Sequence, residues 1–216
     1  MMNKRDMLFS VTNYISCFAV IGKNEERILE ALDKIDRADF MSAKFKSDAY
    51  VDSAMPIENG QTISQPSTVA RMLQLLKVKP GESVLEVGTG SGWNAALIAF
   101  IVGVRGTVVS LEVFEELIRS AQQKIQKYHF ENVHVYRGDF RKFRKNEKFD
   151  KITITAGIEK SQEPIIESFA IEHLKENGIL VCPRRIGPLM ILEKNSSGMK
   201  KTYTKEEYVF VPLILE

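Results

Sequence analysis

The stretch Val84-Leu85-Glu86-Val87-Gly88-Thr89-Gly90-Ser91-Gly92 decides the fold. A short apolar run passes into alternating glycines, and Asn94 to Ile101 then continues at helical spacing, which is a buried strand turning through a glycine loop into a helix. Glycine is needed there because a bulky ligand approaches the backbone closely and the turn requires torsions that a Cβ penalises. A glycine pair alone is weak evidence, and a tight turn beside a solvated acid is the plain alternative. Context adds weight, because Glu112 ends the next strand, where a carboxylate can accept the hydroxyls of a ribose.

The glycines stand as GxGxG, with Trp93 where the third glycine of a dinucleotide fingerprint would fall. That spacing disfavours a pyrophosphate on the helix N-terminus. Glu86, two residues ahead of Gly88, adds a negative charge that suits a cationic ligand, such as the sulfonium of S-adenosylmethionine. Asp139, after Gly138 at the end of the third strand, sits where a side chain can accept the adenine amino group. Glu86, Gly88, Gly90, Glu112 and Asp139 together describe an S-adenosylmethionine pocket.

Around this stretch, β-branched runs alternate with helical ones. Strands are read at 83–88, 107–112, 133–138, 151–156 and 178–183, with helices at 94–101, 115–128 and 163–174 between them. Repeated βαβ units form a right-handed, mostly parallel, doubly wound sheet that binds its ligand beyond the strands' carboxyl ends. Leu189 to Lys194 and Tyr208 to Leu215 flank the polar Asn195-Ser196-Ser197-Gly198, which predicts a terminal antiparallel hairpin. Before Pro80 the patterns are helical at 25–35 and 67–76, separated by an ordered loop at 48–65 with Pro56 and Gly60.

Composition bounds the rest. The chain has 216 residues, 44% hydrophobic and 27% charged, which fits one ordinary globular domain and excludes collagen-like and disordered classes. Thirty basic against 28 acidic residues leave +2, so no global field selects nucleic acid or an anionic membrane. Cys17 and Cys182 are far apart and lack zinc-ligand spacing, so no disulfide, no metal and a cytoplasmic location are expected. Lys4 and Arg5 ahead of 7–21 loosely mimic a signal peptide, but Asp6, Ser10, Thr12, Asn13 and Ser16 interrupt the run, and an amphipathic helix is the better reading. No stretch is apolar for the roughly 18 residues a membrane span needs.

The loop ahead of the core carries a sharper signal: Ala49-Tyr50-Val51-Asp52, Pro56-Ile57, Gly60-Gln61-Thr62-Ile63-Ser64-Gln65-Pro66 and Val69-Ala70-Arg71-Met72. Together with the glycine loop, with 108–112, with Gly138-Asp139 and with Phe210-Val211-Pro212-Leu213, it closely resembles the protein-L-isoaspartate (D-aspartate) O-methyltransferase family. The resemblance implies a Rossmann-like methyltransferase fold: a seven-stranded sheet with a C-terminal hairpin, in one domain. Residues 1–80 would then be an extension carrying the acceptor loop, and 81–216 the cofactor core. It further implies methylation of the side-chain carboxylate of L-isoaspartyl residues in damaged proteins, with repair through a succinimide. Ser64 would be the active-site hydroxyl, with Thr62, Ile63, Gln65, Thr155 and Ala156 around the acceptor, and Glu86, Gly88, Thr89, Gly90, Ser91, Gly92, Glu112, Asp139 and Phe140 around the cofactor. The partners implied are isoaspartyl-containing proteins and peptides, with no membrane.

The chemistry of the residues agrees. A carboxylate, with a reference pKa of about 4, is already ionised at neutral pH, so its attack on a methyl group needs no general base. No catalytic role is therefore expected for His129, His134 or His173.

Two segments depart from the family pattern. Phe140 stands where a glycine is usual, and Thr155-Ala156-Gly157-Ile158-Glu159-Lys160 replaces a TAAAP run, which puts the acceptor in question more than the cofactor. From Arg137 to Lys151, seven basic side chains face three acidic ones, interleaved with Phe140, Phe143 and Phe149. The expected role is a solvated loop flanking the cofactor site; the alternative is an RNA-facing surface. Two other functions therefore stay open, a methyltransferase acting on another acceptor such as transfer RNA and a non-catalytic S-adenosylmethionine-binding homologue.

Overall fold

The computed structural model describes residues 2–144 and 146–215. Among the described residues six α-helices are present: α1 (Lys4–Ser16), α2 (Lys23–Lys34), α3 (Pro66–Leu76), α4 (Trp93–Val102), α5 (Glu115–Gln126) and α6 (Glu163–His173). Seven strands form the main sheet: β1 (Ser83–Val87), β2 (Thr107–Glu112), β3 (Val133–Arg137), β4 (Phe149–Ile154), β5 (Leu174–Pro183), β6 (Leu189–Asn195) and β7 (Gly198–Tyr203). Their order is β7-β6-β5-β4-β1-β2-β3. The pairs β1–β2, β2–β3, β1–β4 and β4–β5 are parallel, whereas β6 joins β5 and β7 antiparallel. The mostly parallel sheet with an antiparallel end stands as the sequence pattern predicts.

Strand alternation sends side chains to two cores. Val84 and Val108 pack with α1 to α5 on one face, where Met7, Leu32, Leu73 and Trp93 are fully enclosed. Leu85, Val109 and Leu111 pack with α6 on the other. Each such aliphatic side chain contributes about 1.5–3 kcal/mol on burial. The first helices share the core of β1 and β2, so the N-terminal extension is built into the main hydrophobic cluster. Helix α1 starts at Asn3, whose side chain accepts from the Asp6 amide while Asp6 accepts from the Asn3 amide. The predicted 7–21 helix therefore runs earlier, over 4–16, because this reciprocal cap fixes its start.

The terminal hairpin differs from expectation in its second strand. Asn195 pairs directly with Gly198 across Ser196-Ser197, so the polar stretch is a two-residue turn and the returning strand is 198–203. Residues 208–215 take no place in this sheet, because 198–203 already fills the edge position beside β6. They instead cross the carboxyl end of β4 as a strap. Tyr208–Val209 pairs with Ile186–Gly187, the Gly157 amide donates to the Val211 carbonyl at 2.7 Å, and the Leu213 amide donates to the Gly157 carbonyl at 2.8 Å.

That strap explains one departure from the family pattern. A Cβ on Gly157 would lie 2.5 Å from Arg185 Cα and 3.0 Å from Phe210 Cβ, so only glycine lets the three segments meet. Gly157→Ala is expected to cost about 1–3 kcal/mol of stability through this overpacking. Urea unfolding checks it, and an unchanged midpoint would refute the close contact.

Candidate active site

The parallel order reverses beside β1, and the carboxyl ends of β1 and β4 open the crevice at which such sheets bind ligands. Gly88 and Thr89 leave β1 with their amides donating to the Leu111 carbonyl at 2.8 and 3.2 Å, which draws the loop over β2. Gly88 has φ +97°, and a Cβ there would lie 2.5 Å from Thr155 Oγ1. That hydroxyl donates to the Val87 and Gly88 carbonyls, so Thr155 fastens the loop from the end of β4.

Beneath the loop, Glu86 is fully buried. It accepts from Ser110 Oγ at 2.5 Å and from Asn94 Nδ2 at 2.8 Å, while Ser110 in turn meets Thr89 Oγ1 at 2.5 Å. Burial raises its carboxyl from 4.5 to about 7, against the opposing hydrogen bonds of Ser110 and Asn94, and the charge of Glu112 adds to the rise. Glu86 does not line the cavity above it. It ties β1, β2, the glycine loop and α4 together, beneath the cavity rather than on its wall, where the sequence reading places it.

Glu112 does reach the cavity. Its carboxylate accepts from the amides of Gly90, Val113 and Phe114 at 2.8–3.1 Å, which leaves acceptor capacity for a further donor. Asp139 is buried, and both its oxygens accept from the Arg141 guanidinium. Phe140 is buried at 2% exposure and packs edge-on against Phe169.

Two clefts adjoin. The inner one is walled by Thr62, Ile63, Ser64, Gly88, Thr89, Gly90, Ser91, Glu112, Thr155 and Ala156, with Val211 of the strap. The second is walled by Glu112, Val113, Phe114, Asp139, Phe140 and 212–214, and shares Gln61, Gly88, Glu112 and Ala156 with the first. An outer groove between Ser64, Thr155 and the strap residues 208–211 leads to the surface. Ser64 lines both the inner cleft and this groove, and its hydroxyl has no hydrogen-bond partner among the described residues.

Sequence reasoning thus places most of its site residues on one continuous cavity. The exceptions are Glu86, Gly92 and Gln65. Gly92 packs against α5, where an added Cβ would meet Ala121 at 2.9 Å. Gln65 turns to Asp52 at 3.2 Å and lines only the outer groove. Gln61, Asn94 and strap residues 211–214 are cavity residues that the sequence reading assigns no role. The residues 211–214 lie far from the glycine loop in sequence, and no local pattern brings them there. The RNA-facing alternative loses its stacking platform. Phe140 and Phe149 are buried and Phe143 packs on Phe149 and His173, so the interleaved aromatics serve the core.

Residues 18–216 match the family model described as Protein-L-isoaspartate(D-aspartate) O-methyltransferase (PCMT). The chain belongs to that family. A protein-L-isoaspartate O-methyltransferase of Pyrococcus abyssi is 41% identical over 196 residues, which cover 88% of this chain and 87% of the relative. A solved protein-L-isoaspartate O-methyltransferase superposes with a TM-score of 0.79 at 25% identity, covering 97% of this chain and 65% of that longer one. A Plasmodium falciparum structure, described as a beta-aspartate methyltransferase in complex with S-adenosyl-L-homocysteine, gives a TM-score of 0.80 at 20% identity and covers 99% of both chains, which speaks for the fold alone.

The donor set fits the cofactor of this methyltransferase family. Acidic acceptors at Glu112 and Asp139 face one cleft, and it continues past Gly88 into the cleft that holds Ser64. A partly apolar cleft with two carboxylate acceptors suits a nucleoside carrying hydroxyl and amino donors.

Glu86 gives this site a pH signature. The folded protein holds a proton on Glu86 between 4.5 and about 7 that the unfolded chain has released, so this group's contribution to stability falls as pH rises through that window. Glu86→Gln, fixed in the neutral form, should gain stability relative to the parent across the window, by up to about 1.4 kcal/mol per pH unit. Denaturant unfolding of both proteins at several pH values reads the difference, and a flat difference would contradict a raised Glu86.

Proposed function

We propose that this protein transfers a methyl group from S-adenosylmethionine to the side-chain carboxylate of L-isoaspartyl residues, with Ser64 as the hydroxyl that orients the acceptor. The observation that carries the reading is the position of Ser64 at the junction of an open groove with the glycine-loop cleft, its hydroxyl uncommitted. When bound, the cofactor supplies an electrophilic methyl group. The protein's own part is placement: a hydroxyl donating to one carboxylate oxygen leaves the other to face the cofactor in line, at a contact the strap shields from water.

No residue needs to take a proton. The carboxylate attacks as an anion, and the charge of the acceptor and that of the sulfonium disappear together, which accounts for an active cleft without His or Cys. The backbone amide nitrogen of the following residue then attacks the ester carbonyl and expels methanol, closing a succinimide without further help from the protein. On this reading Glu112 holds the ribose and Asp139 the adenine amino group, once Arg141 yields an oxygen. Residues 1–80 supply the acceptor side and 81–216 the cofactor side of one domain. Partners are isoaspartyl-containing proteins and peptides.

We also propose a cytoplasmic location, in keeping with free thiols at Cys17 and Cys182. None of the described helices is long and apolar enough to cross a membrane.

Incubation with methyl-labelled S-adenosylmethionine and an isoaspartyl peptide tests the function. Base-labile label on that peptide, and none on its aspartyl isomer, is expected; absence of transfer refutes it. Ser64→Ala should lower kcat/KM for the peptide about ten- to hundredfold, the value of one hydrogen bond to a charged group. Binding of S-adenosylhomocysteine should stay unchanged, and an unaltered kcat/KM would remove Ser64 from the mechanism.

A further inference from the structure

Arg37 is a large charged side chain with no solvent exposure, and no sequence motif singles it out. It lies in a short 3-10 turn, Arg37–Phe40, far in sequence from the cleft. Its guanidinium donates to five carbonyls: Ala49 at 2.8 Å, Val51 at 3.2 Å, Ser53 at 2.8 Å, Ile63 at 3.5 Å and Ser64 at 3.1 Å. The first three belong to the incoming limb of the acceptor loop and the last two to the outgoing limb. Only Nε is without a partner. The same guanidinium lies 5.5 Å from the centre of the Trp93 ring, and Trp93 Nε1 donates to the Ile35 carbonyl at 3.3 Å. Trp93 is the first residue of α4, directly after the glycine loop.

We infer that Arg37 is the positioning residue of the acceptor site: it clamps both limbs of the 49–64 loop and seats them on the helix that follows the cofactor loop, so that Ser64 is held at a set distance from the transferring methyl.

Several features make the clamp specific to arginine. Five acceptors on two chain segments need a planar fork of donors, and a lysine ammonium has three donors at one point. No carboxylate ion-pairs with Arg37 among the described residues, so the carbonyls and the Trp93 ring solvate the buried cation. Burial accordingly pulls Arg37 down to about 10, with the nearby charge of Asp52 opposing the shift. The arginine's own backbone is held rigid. Asp36 accepts from the Ala38 amide at 2.9 Å and from Tyr50 at 3.1 Å, and pairs with Lys4 at 3.1 Å, while its amide donates to Tyr128 Oη at 2.8 Å. On the incoming limb, Asp52 accepts from the Ser67 amide at 2.9 Å and its hydroxyl at 2.7 Å, which fastens the loop to the first turn of α3.

The inference rests on the isoaspartyl reading for its catalytic consequence but not for its structural one, so the test has two readouts. Arg37→Lys and Arg37→Gln are compared with the parent by amide hydrogen exchange, S-adenosylhomocysteine titration and turnover of an isoaspartyl peptide. Exchange in 49–65 should accelerate at least about tenfold while 83–112 stays protected, since local opening is read segment by segment. Cofactor-product affinity should change less than about threefold, whereas kcat/KM for the peptide should fall about ten- to hundredfold, as displaced reacting groups produce. Lysine should retain more activity than glutamine.

Folded variants with unaltered exchange in 49–65 would overturn the inference. So would loss of cofactor-product binding in step with turnover, or failure of both variants to fold, since either makes Arg37 a residue of the whole fold. Failure of the parent itself to methylate the peptide would strike the proposed function, while the exchange readout would still judge the clamp.

Discussion

The hydrogen bonds beneath the glycine loop, from Ser110 and Asn94 to the buried Glu86 and from Thr89 to Ser110, hold the rest of the site in register. Gly88 can sit against Thr155 only if the loop is drawn down onto β2, and Glu112 can meet the Gly90 amide only if that loop stays there. Removing a carboxylate from water is costly. Its proton, retained to about pH 7 and lying on the Glu86–Ser110 hydrogen bond, is how the site meets that cost, because a neutral acid is far easier to enclose than an anion.

The acceptor side depends on this core through packing rather than through a linker. Helices α1 and α2 share a hydrophobic cluster with β1, β2 and α4, so the loop bearing Ser64 is carried on the same rigid body as the glycine loop. The C-terminal strap closes the assembly from the other side, bringing Val211 to the inner cleft and 212–214 to the adjoining one. Placement by three segments from distant parts of the chain suits a reaction that requires alignment and dryness, and no proton transfer.

Much of this was legible in the sequence, for identifiable reasons. The β1 loop, Glu112 and the strand–helix alternation follow local rules of periodicity and turn chemistry, and the Gly60-to-Pro66 segment carried its own family signature. What escaped was set by tertiary contact. Glu86 reads as a ligand-facing acid because strand alternation alone does not say which face the cofactor occupies; Ser110, its register partner on β2, shows it faces α4. The second hairpin strand differs from expectation because a two-residue turn and a longer loop share the same polar composition. Gly157 looked like a change of acceptor specificity and is a steric requirement of the strap, visible only once Arg185 and Phe210 are beside it. Phe140, for its part, turns its ring into the core against Phe169.

On the proposed function, one cavity brings a carboxylate held by Ser64 into line with a cofactor seated on the glycine loop. A crystal structure of the ternary complex with S-adenosylhomocysteine and an isoaspartyl peptide measures it directly. The isoaspartyl carboxylate is expected within about 3 Å of Ser64 Oγ, with its second oxygen directed at the cofactor sulfur and the strap covering both. A peptide carboxylate seated elsewhere, or a cofactor bound away from Gly88 and Glu112, would contradict it.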